Sequence, residues 1–454
     1  MYVAPDAKST QTVAPMKKPE IAGLVLVALL VLVWPVDHTI SVREFLIVAS
    51  LLTFGWIAYR QRPAGWVVPL AVPIVLYAAL TLWMVVVAIA ISNETAWSLG
   101  EIRGQWLKGL ATGFVGLWMG TAAARDKRYG ARALTVLAAA LALYVAYVDV
   151  LAFMNPSGQG LLAQRFQVLG NGPDKANYIT NLFLCFLFAE VFLRAVHKTR
   201  RLEFSDAVLG VLVAVALLAV YVTRMRNGVA ALAIVLFVLV LLFVRSSRHR
   251  MPGWLIAAGV TGLLSVVAVL GYLNFKSDPR WQTFLETAEV SWNTDASKAW
   301  LNSDKYPFPT LSDGSGVEQS AYARITAIKE GGRLVLEHPF GIGFGRNAYG
   351  HGLEAKYGEP GLRHSHSGLL DMAIGTGFPG AALWVAFLGS LAWIGWRRFG
   401  AAPSYAPLLL LLVVTDYGTR MVVDSIVRDH MLQQFMFLAG LLAVMTVSAA
   451  RNPA

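Results

Sequence analysis

The chain has 454 residues, of which 56% are hydrophobic and only 14% charged, with a mean hydropathy of +0.57; a water-soluble fold of that size cannot bury so much apolar side chain. Its net charge of +11 does not mark a nucleic-acid protein, because Lys and Arg gather in short clusters between apolar runs, as membrane insertion favours. The single cysteine, Cys185, sits inside one of those runs, which excludes an internal disulfide and a cysteine-based metal site.

The residues up to Lys18 are polar and are expected to be disordered. The apolar run after them lacks a small-residue cleavage signal, so it reads as an uncleaved first span. Runs long enough to cross a bilayer recur near 20–36, 42–59, 66–91, 104–122, 131–153, 177–196, 206–223, 228–245, 254–273, 379–396, 404–419 and 431–449, twelve in all. The fold class is therefore an all-α polytopic membrane protein of about twelve transmembrane helices. Basic clusters at Lys17 and Lys18, Arg60 and Arg62, Arg125 to Arg132, Arg194 to Arg201, Arg245 to Arg250, Arg397 and Arg398, and Arg451 fall at alternate ends of these spans. By the positive-inside rule both termini are cytoplasmic, and 37–41, 92–103, 154–176, 224–227, 274–378 and 420–430 face the other side. The organisation that follows is a cytoplasmic tail at 1–19, spans 1–9 within 20–273, a large, partly helical outer loop at 274–378, and spans 10–12 with a short tail at 379–454.

A loop of that length needs structure of its own. Trp281, Leu285, Ala288 and Trp292 recur at helical spacing, as in a helix lying at the headgroup level. A second helix is expected from Val317 to Leu336, with Arg324 beside its apolar face, and 293–316 reads as a turn-filled connector. A continuous helix from His366 to Trp396 would be about 46 Å long, well beyond the hydrocarbon core. Gly375, Gly377 and Pro379 offer a break, which makes 366–376 a short helix at the outer surface and starts the true span at Pro379. There is no internal repeat and no low-complexity tract.

Several cations contradict the inside bias. Arg165 and Lys175 flank a Gly-Asn-Gly-Pro-Asp stretch, Arg224 and Arg226 occupy a tight turn between spans, and Arg324 lies on the loop helix. Singly, each reads as a snorkelling anchor or as half of an ion pair with Asp174, Asp424 or Asp429. As a set they read as an anion site, since the guanidinium fork fits phosphate. His366 could accept a proton at neutral pH, or it could belong to a capped helix start with Ser365 or Ser367 as N-cap; His364 could take either role. A zinc site from His351, His364 and His366 has no carboxylate or thiolate at ligand spacing to support it. The segment Glu337 to Gly345 is a glycine-rich turn permitting close approach of a ligand or of neighbouring backbone, with His338 as a further candidate.

His366-Ser367 followed after nine residues by Gly377 and after two more by Gly380 resembles the motif of the bacterial O-antigen ligases, whose superfamily includes O-antigen polymerases and protein O-oligosaccharyltransferases. Tyr322-Ala323-Arg324, His338-Pro339-Phe340-Gly341-Ile342-Gly343 and Arg226-Asn227-Gly228 are similar to further family features, over roughly residues 160–400. The resemblance implies a class C type of glycosyltransferase fold in the bacterial inner membrane, working at the periplasmic face. It implies transfer of glycan from undecaprenyl diphosphate to the lipid A-core oligosaccharide, with His366 as base and Arg226 and Arg324 as the diphosphate clamp. Arg224 and Arg165 are further clamp candidates, and His338, His364 and Lys175 are possible additions. No metal, cofactor or obligate protein partner is implied. Polymerase and oligosaccharyltransferase readings use the same donor; a transporter would require paired broken helices in two related halves.

Overall fold

The computed structural model describes residues 16–61, 65, 67–154, 168, 169, 172–223, 225–247, 252–254, 258–262, 265, 272, 283–358 and 362–448. Apolar runs become helices because, out of water, a helix satisfies every backbone group within its own segment. In chain order these are α1 (Lys18–Val33), α2 (Ile40–Gln61), α3 (Ala71–Val86, continued by a wider turn over Val87–Ile91), α4 (Thr95–Glu101), α5 (Leu107–Arg125), α6 (Lys127–Met154), α7 (Pro173–Phe192) and α8 (Asp206–Thr223). They continue as α9 (Arg226–Ser247), α10 (Phe284–Trp292), α11 (Gln319–Glu337), α12 (Ala348–Tyr357), α13 (Gly368–Ala401), α14 (Tyr405–Val423) and α15 (Asp429–Ser448). Among the described residues nine helical segments are long and apolar enough to cross a membrane, and the chain is an all-α multi-pass membrane protein. The first and fourth expected spans appear as α1, of only 16 residues, and α5, whose Lys108 and four glycines dilute its hydropathy; neither is among the nine. The ninth expected span, 254–273, lies mostly outside the described residues.

Helix α15 is buried on nearly every side, and α7 and α14 are buried along most of their length. Around them α2, α3, α8 and α9 turn Leu52, Val72, Val211 and Phe237 outward. The tightest contact joins α5 to α15. A Cβ on Gly116 would lie 2.0 Å from the Phe437 carbonyl oxygen, and one on Gly440 would lie 2.5 Å from that of Gly113. Small residues let these two backbones touch, which is how helices gain packing energy where lipid is as apolar as leucine.

The outer loop builds a second small core from Trp300, Leu311, Tyr322, Leu334, Tyr349 and Leu353, closed below by Ile374 of α13. Both expected loop helices are present, as α10 and α11; Trp281 lies outside the described residues. Helix α10 buries Thr287 and Ser291 and exposes Leu285 and Trp292, the reverse of a water-facing helix and the pattern of one resting on lipid.

The expected break in α13 falls at Gly377, whose φ of +67° and ψ of −174° are not helical. Pro379 has no N–H for the carbonyl of Gly375, and the lost bonds are replaced from elsewhere in the chain. Ile342 N–H donates to Ile374 O (3.1 Å), Gly343 N–H to Gly375 O (3.0 Å) and Trp83 Nε1 to Thr376 O (2.7 Å), while Phe378 N–H turns back to Pro339 O (2.9 Å). The glycine-rich turn thus approaches neighbouring backbone, and that backbone is the broken helix. A Cβ on Gly341 (φ +90°) would lie 2.5 Å from the Gly375 oxygen, so glycine is required on both sides of the contact.

Candidate active site

The loop from Arg363 to Ser367 delivers two imidazoles to the end of the bundle that carries the outer loop. Its backbone is fixed on both sides of His366. Ser365 N–H donates to Asp371 Oδ1 (2.9 Å), the other Asp371 oxygen accepts from Ser425 Oγ (2.5 Å), and Gly368 N–H donates to Asp424 O (2.9 Å). Ser367 Oγ accepts from Leu370 N–H at 3.3 Å. Ser367 is therefore the N-cap of α13 and the imidazole is not needed for capping. Between these anchors His366 adopts φ +58°, a left-handed conformation costing about 1–2 kcal/mol for a residue with a Cβ. That strain persists because the flanking bonds over-determine it.

The rings of His364 and His366 lie 4.5 Å apart, centroid to centroid. Burial, reinforced by the charges of Arg324 and Arg428, pushes His366 down from 6.5 to about 4; Asp174 opposes this in part. Burial, then Arg428, His366 and Arg324, push His364 down to about 3. Both imidazoles are neutral at pH 7 and carry a free lone pair. The carboxyl of Asp424 is pushed up by burial and drawn back by Arg420, Arg324 and Arg428, so Arg324 and Arg428 act on all three groups.

Each arginine is aimed from a different helix. Arg324 on α11 donates to Ser320 Oγ and, at 3.4 Å, to Ser320 O. Arg226 opens α9 and donates to Glu318 Oε2 at 3.3 Å. Because Glu318 also caps α11 by accepting from Ala321 N–H at 2.7 Å, this pair joins the loop to the transmembrane bundle. The next residue, Asn227, donates to Asp424 Oδ2 at 3.0 Å. Arg420 is fully buried and donates to Asn177 Oδ1 at 2.8 Å and to Asp174 O at 3.3 Å, with its Nε 3.6 Å from Asp424 Oδ2. Arginine stays charged in such surroundings and presents paired donors, so the arrangement suits a phosphorylated ligand beside a neutral base.

Of the residues singled out in the sequence, His366, His364 and Arg324 are brought together, and Arg226 meets Glu318, the cap of the helix that carries Arg324. Arg165 and Arg224 lie outside the described residues. Lys175 faces another cavity, with Arg346, Asp429 and His430. His338 is exposed at the end of α11, where its backbone closes the glycine-rich turn. His351 pairs with Glu94 at 2.8 Å and stacks on Trp97, which removes it from the two other histidines. Arg428, Arg420, Asp424 and Asp371 complete the site. A signal for one of them was present: Asp416 and Arg420 lie one turn apart near the end of an apolar span, which puts two ionisable groups on one helical face.

Residues 211–385 match a protein family model described as O-antigen ligase. That stretch holds Arg226, Arg324, the glycine-rich turn, both histidines and the helix break. No curated protein matches the chain.

Proposed function

We propose that this chain, of the O-antigen ligase family across residues 211–385, transfers O-antigen glycan from undecaprenyl diphosphate to the lipid A-core oligosaccharide at the periplasmic face of the bacterial inner membrane. The observation that carries the reading is a neutral imidazole, depressed to about 4, beside one arginine from α11 and another from the α14–α15 connection. An imidazole so depressed is a weak base while the site is empty of anion. A diphosphate between Arg226, Arg324 and Arg428 would offset the charges that depress it and return His366 toward its ordinary range. The base thus gains strength when donor is bound, where the proton must be taken.

The step then balances simply. The acceptor hydroxyl oxygen attacks the anomeric carbon and its proton passes to His366. The bond from that carbon to the phosphate oxygen breaks, and the departing diphosphate keeps the electron pair. A single displacement inverts the anomeric configuration. Negative charge grows on the leaving phosphate, and pre-positioned arginines in a dry site stabilise it without reorganising. The scheme calls on no metal or cofactor.

The test uses purified protein, undecaprenyl-diphosphate glycan and lipid A-core, with and without chelator. Asparagine tolerates left-handed φ, so His366→Asn should stay folded while transfer falls by about 10²–10⁴-fold, the usual worth of a general base. Near-normal transfer by that variant would remove His366 from the chemistry. Glycan appearing on another lipid-linked chain, or on protein serine or threonine, would keep the donor chemistry and replace the acceptor.

A further inference from the structure

A second cavity, of about 270 Å³, opens at the same end of the bundle between the α1–α2 connection, the beginnings of α5 and α7, and the first turn of α15. It is far larger than the roughly 30 Å³ a water molecule occupies. Three carboxylates, Asp37, Glu44 and Asp429, and four cations, Arg43, Lys108, Lys175 and Arg346, share its wall. Lys108 pairs there with Glu44, and Arg346 lies 3.5 Å from Asp429; a wall of mixed donors and acceptors suits neither a hydrocarbon chain nor a bare anion, and it suits a ring bearing several hydroxyls.

Two groups in that wall point to an occupant. His430 is 2% exposed and its Nε2 has no hydrogen-bond partner, and the Nε of Arg43 is likewise buried and unpartnered. Such groups are costly to leave unmet. The rim is also strained: Asp429 holds φ +51°, with its N–H fixed on Gln105 Oε1 at 2.7 Å.

The cavity adjoins the histidine site through one carboxylate. Asp429 lies 3.5 Å from Arg346 and 3.9 Å from Arg428, and both arginines also line a small cavity with Asp371 and Ser425, beneath the histidine loop. Of the diphosphate arginines, Arg226 and Arg324 come from α9 and α11, neither of which contributes to the second cavity, while Arg428 stands between the two sites. An inverting displacement needs its nucleophile from the side away from the leaving group. We infer that this second cavity is a subsite for one pyranose unit of the acceptor glycan, with the charged side chains of its wall, Arg43 among them, as its hydroxyl-binding groups and His430 supporting that wall. The inference rests on the proposed transfer and adds where the acceptor is gripped.

The experiment measures transfer kinetics of the full chain in lipid nanodiscs for wild type, Arg43→Ala and His430→Gln, varying donor and acceptor separately. Binding of delipidated acceptor oligosaccharide to each protein is followed in parallel by saturation-transfer NMR. The expected result is a rise of tenfold or more in the acceptor KM and loss of oligosaccharide contact, with donor KM and kcat within twofold of wild type. An unchanged acceptor KM in a folded variant would overturn the assignment, and so would a rise confined to the donor KM. Should His430→Gln fail to fold, Arg43→Ala carries the test at the cavity's edge. A wild type that transfers no glycan would overturn the function beneath the inference, an outcome distinguishable from failure of the subsite alone.

Discussion

Arginine clusters occupy both ends of the same bundle, and their partners differ. At the end away from the loop, Arg194 donates to Glu190 Oε1 and Asp206 Oδ1, each at 2.7 Å, and to the carbonyls of Leu202 and Phe204. Glu190 in turn accepts from the backbone of Arg201 and Leu202. Charge there is cancelled where it stands, and the result is architecture. At the loop end Arg324 and Arg428 bear on two uncharged imidazoles, so positive potential is held over groups that cannot neutralise it. An arginine whose charge meets carboxylates on several sides builds structure, and one whose charge also bears on a neutral base can serve an anion.

Removing a cation from each end should therefore give opposite phenotypes. Arg194→Ala leaves the buried Glu190 without its counter-charge and should cost about 3–5 kcal/mol of stability; a lowered unfolding temperature is expected, with transfer per folded molecule retained. Arg324→Ala should do the reverse, leaving the unfolding temperature close to wild type while transfer drops by about 10²–10³-fold, the worth of one oxyanion-stabilising donor. Arg324→Lys keeps the charge and loses the fork, so its activity should fall between the two.

The pH profile sharpens the contrast. Loss of Arg324 removes one of the charges depressing His366, so the acid limb of kcat/KM for the free enzyme should move up from near 4 toward the ordinary 6.5. In the wild type both histidines titrate lower in the folded state than in the unfolded, so the unfolded chain binds more protons below 6.5. Their contribution to stability is complete above that value and is lost as pH falls through about 4 and about 3. Thermal unfolding followed across that window reads it directly. The smallest effect belongs to Ser367→Ala, which removes the N-cap of α13 and should cost roughly 1 kcal/mol, with a modest loss of transfer as the His366 backbone loosens.

The spans, the helix break and the two loop helices were legible because each follows from local physics: run length, a proline after glycines, apolar spacing. His366 and the arginines of α9 and α11 were legible as ionisable groups where such groups are scarce. Lys175 lines a different cavity for a geometric reason. It is adjacent in sequence to Asp174, which acts on His366, but consecutive helical residues point in different directions, and Lys175 lines the second cavity instead. Helix α12, Ala348–Tyr357, escaped notice because its two internal glycines leave no apolar period. Arg428 and Asp371 acquire their role only when α13 and the α14–α15 connection meet, a contact no local pattern contains.

The exchange of backbone bonds at Gly377 also bears on how the chain is made. Synthesis runs from the N-terminus, so Trp83 and the turn from Pro339 to Gly343 exist before Ile374, Gly375 and Thr376 leave the ribosome. The donors that will receive those three carbonyls are already in place when the broken helix enters the bilayer. Had the turn followed the break in the sequence, a nascent span would have waited in lipid with exposed carbonyls, each costing several kcal/mol. The order of the two segments along the gene spares the growing chain that interval.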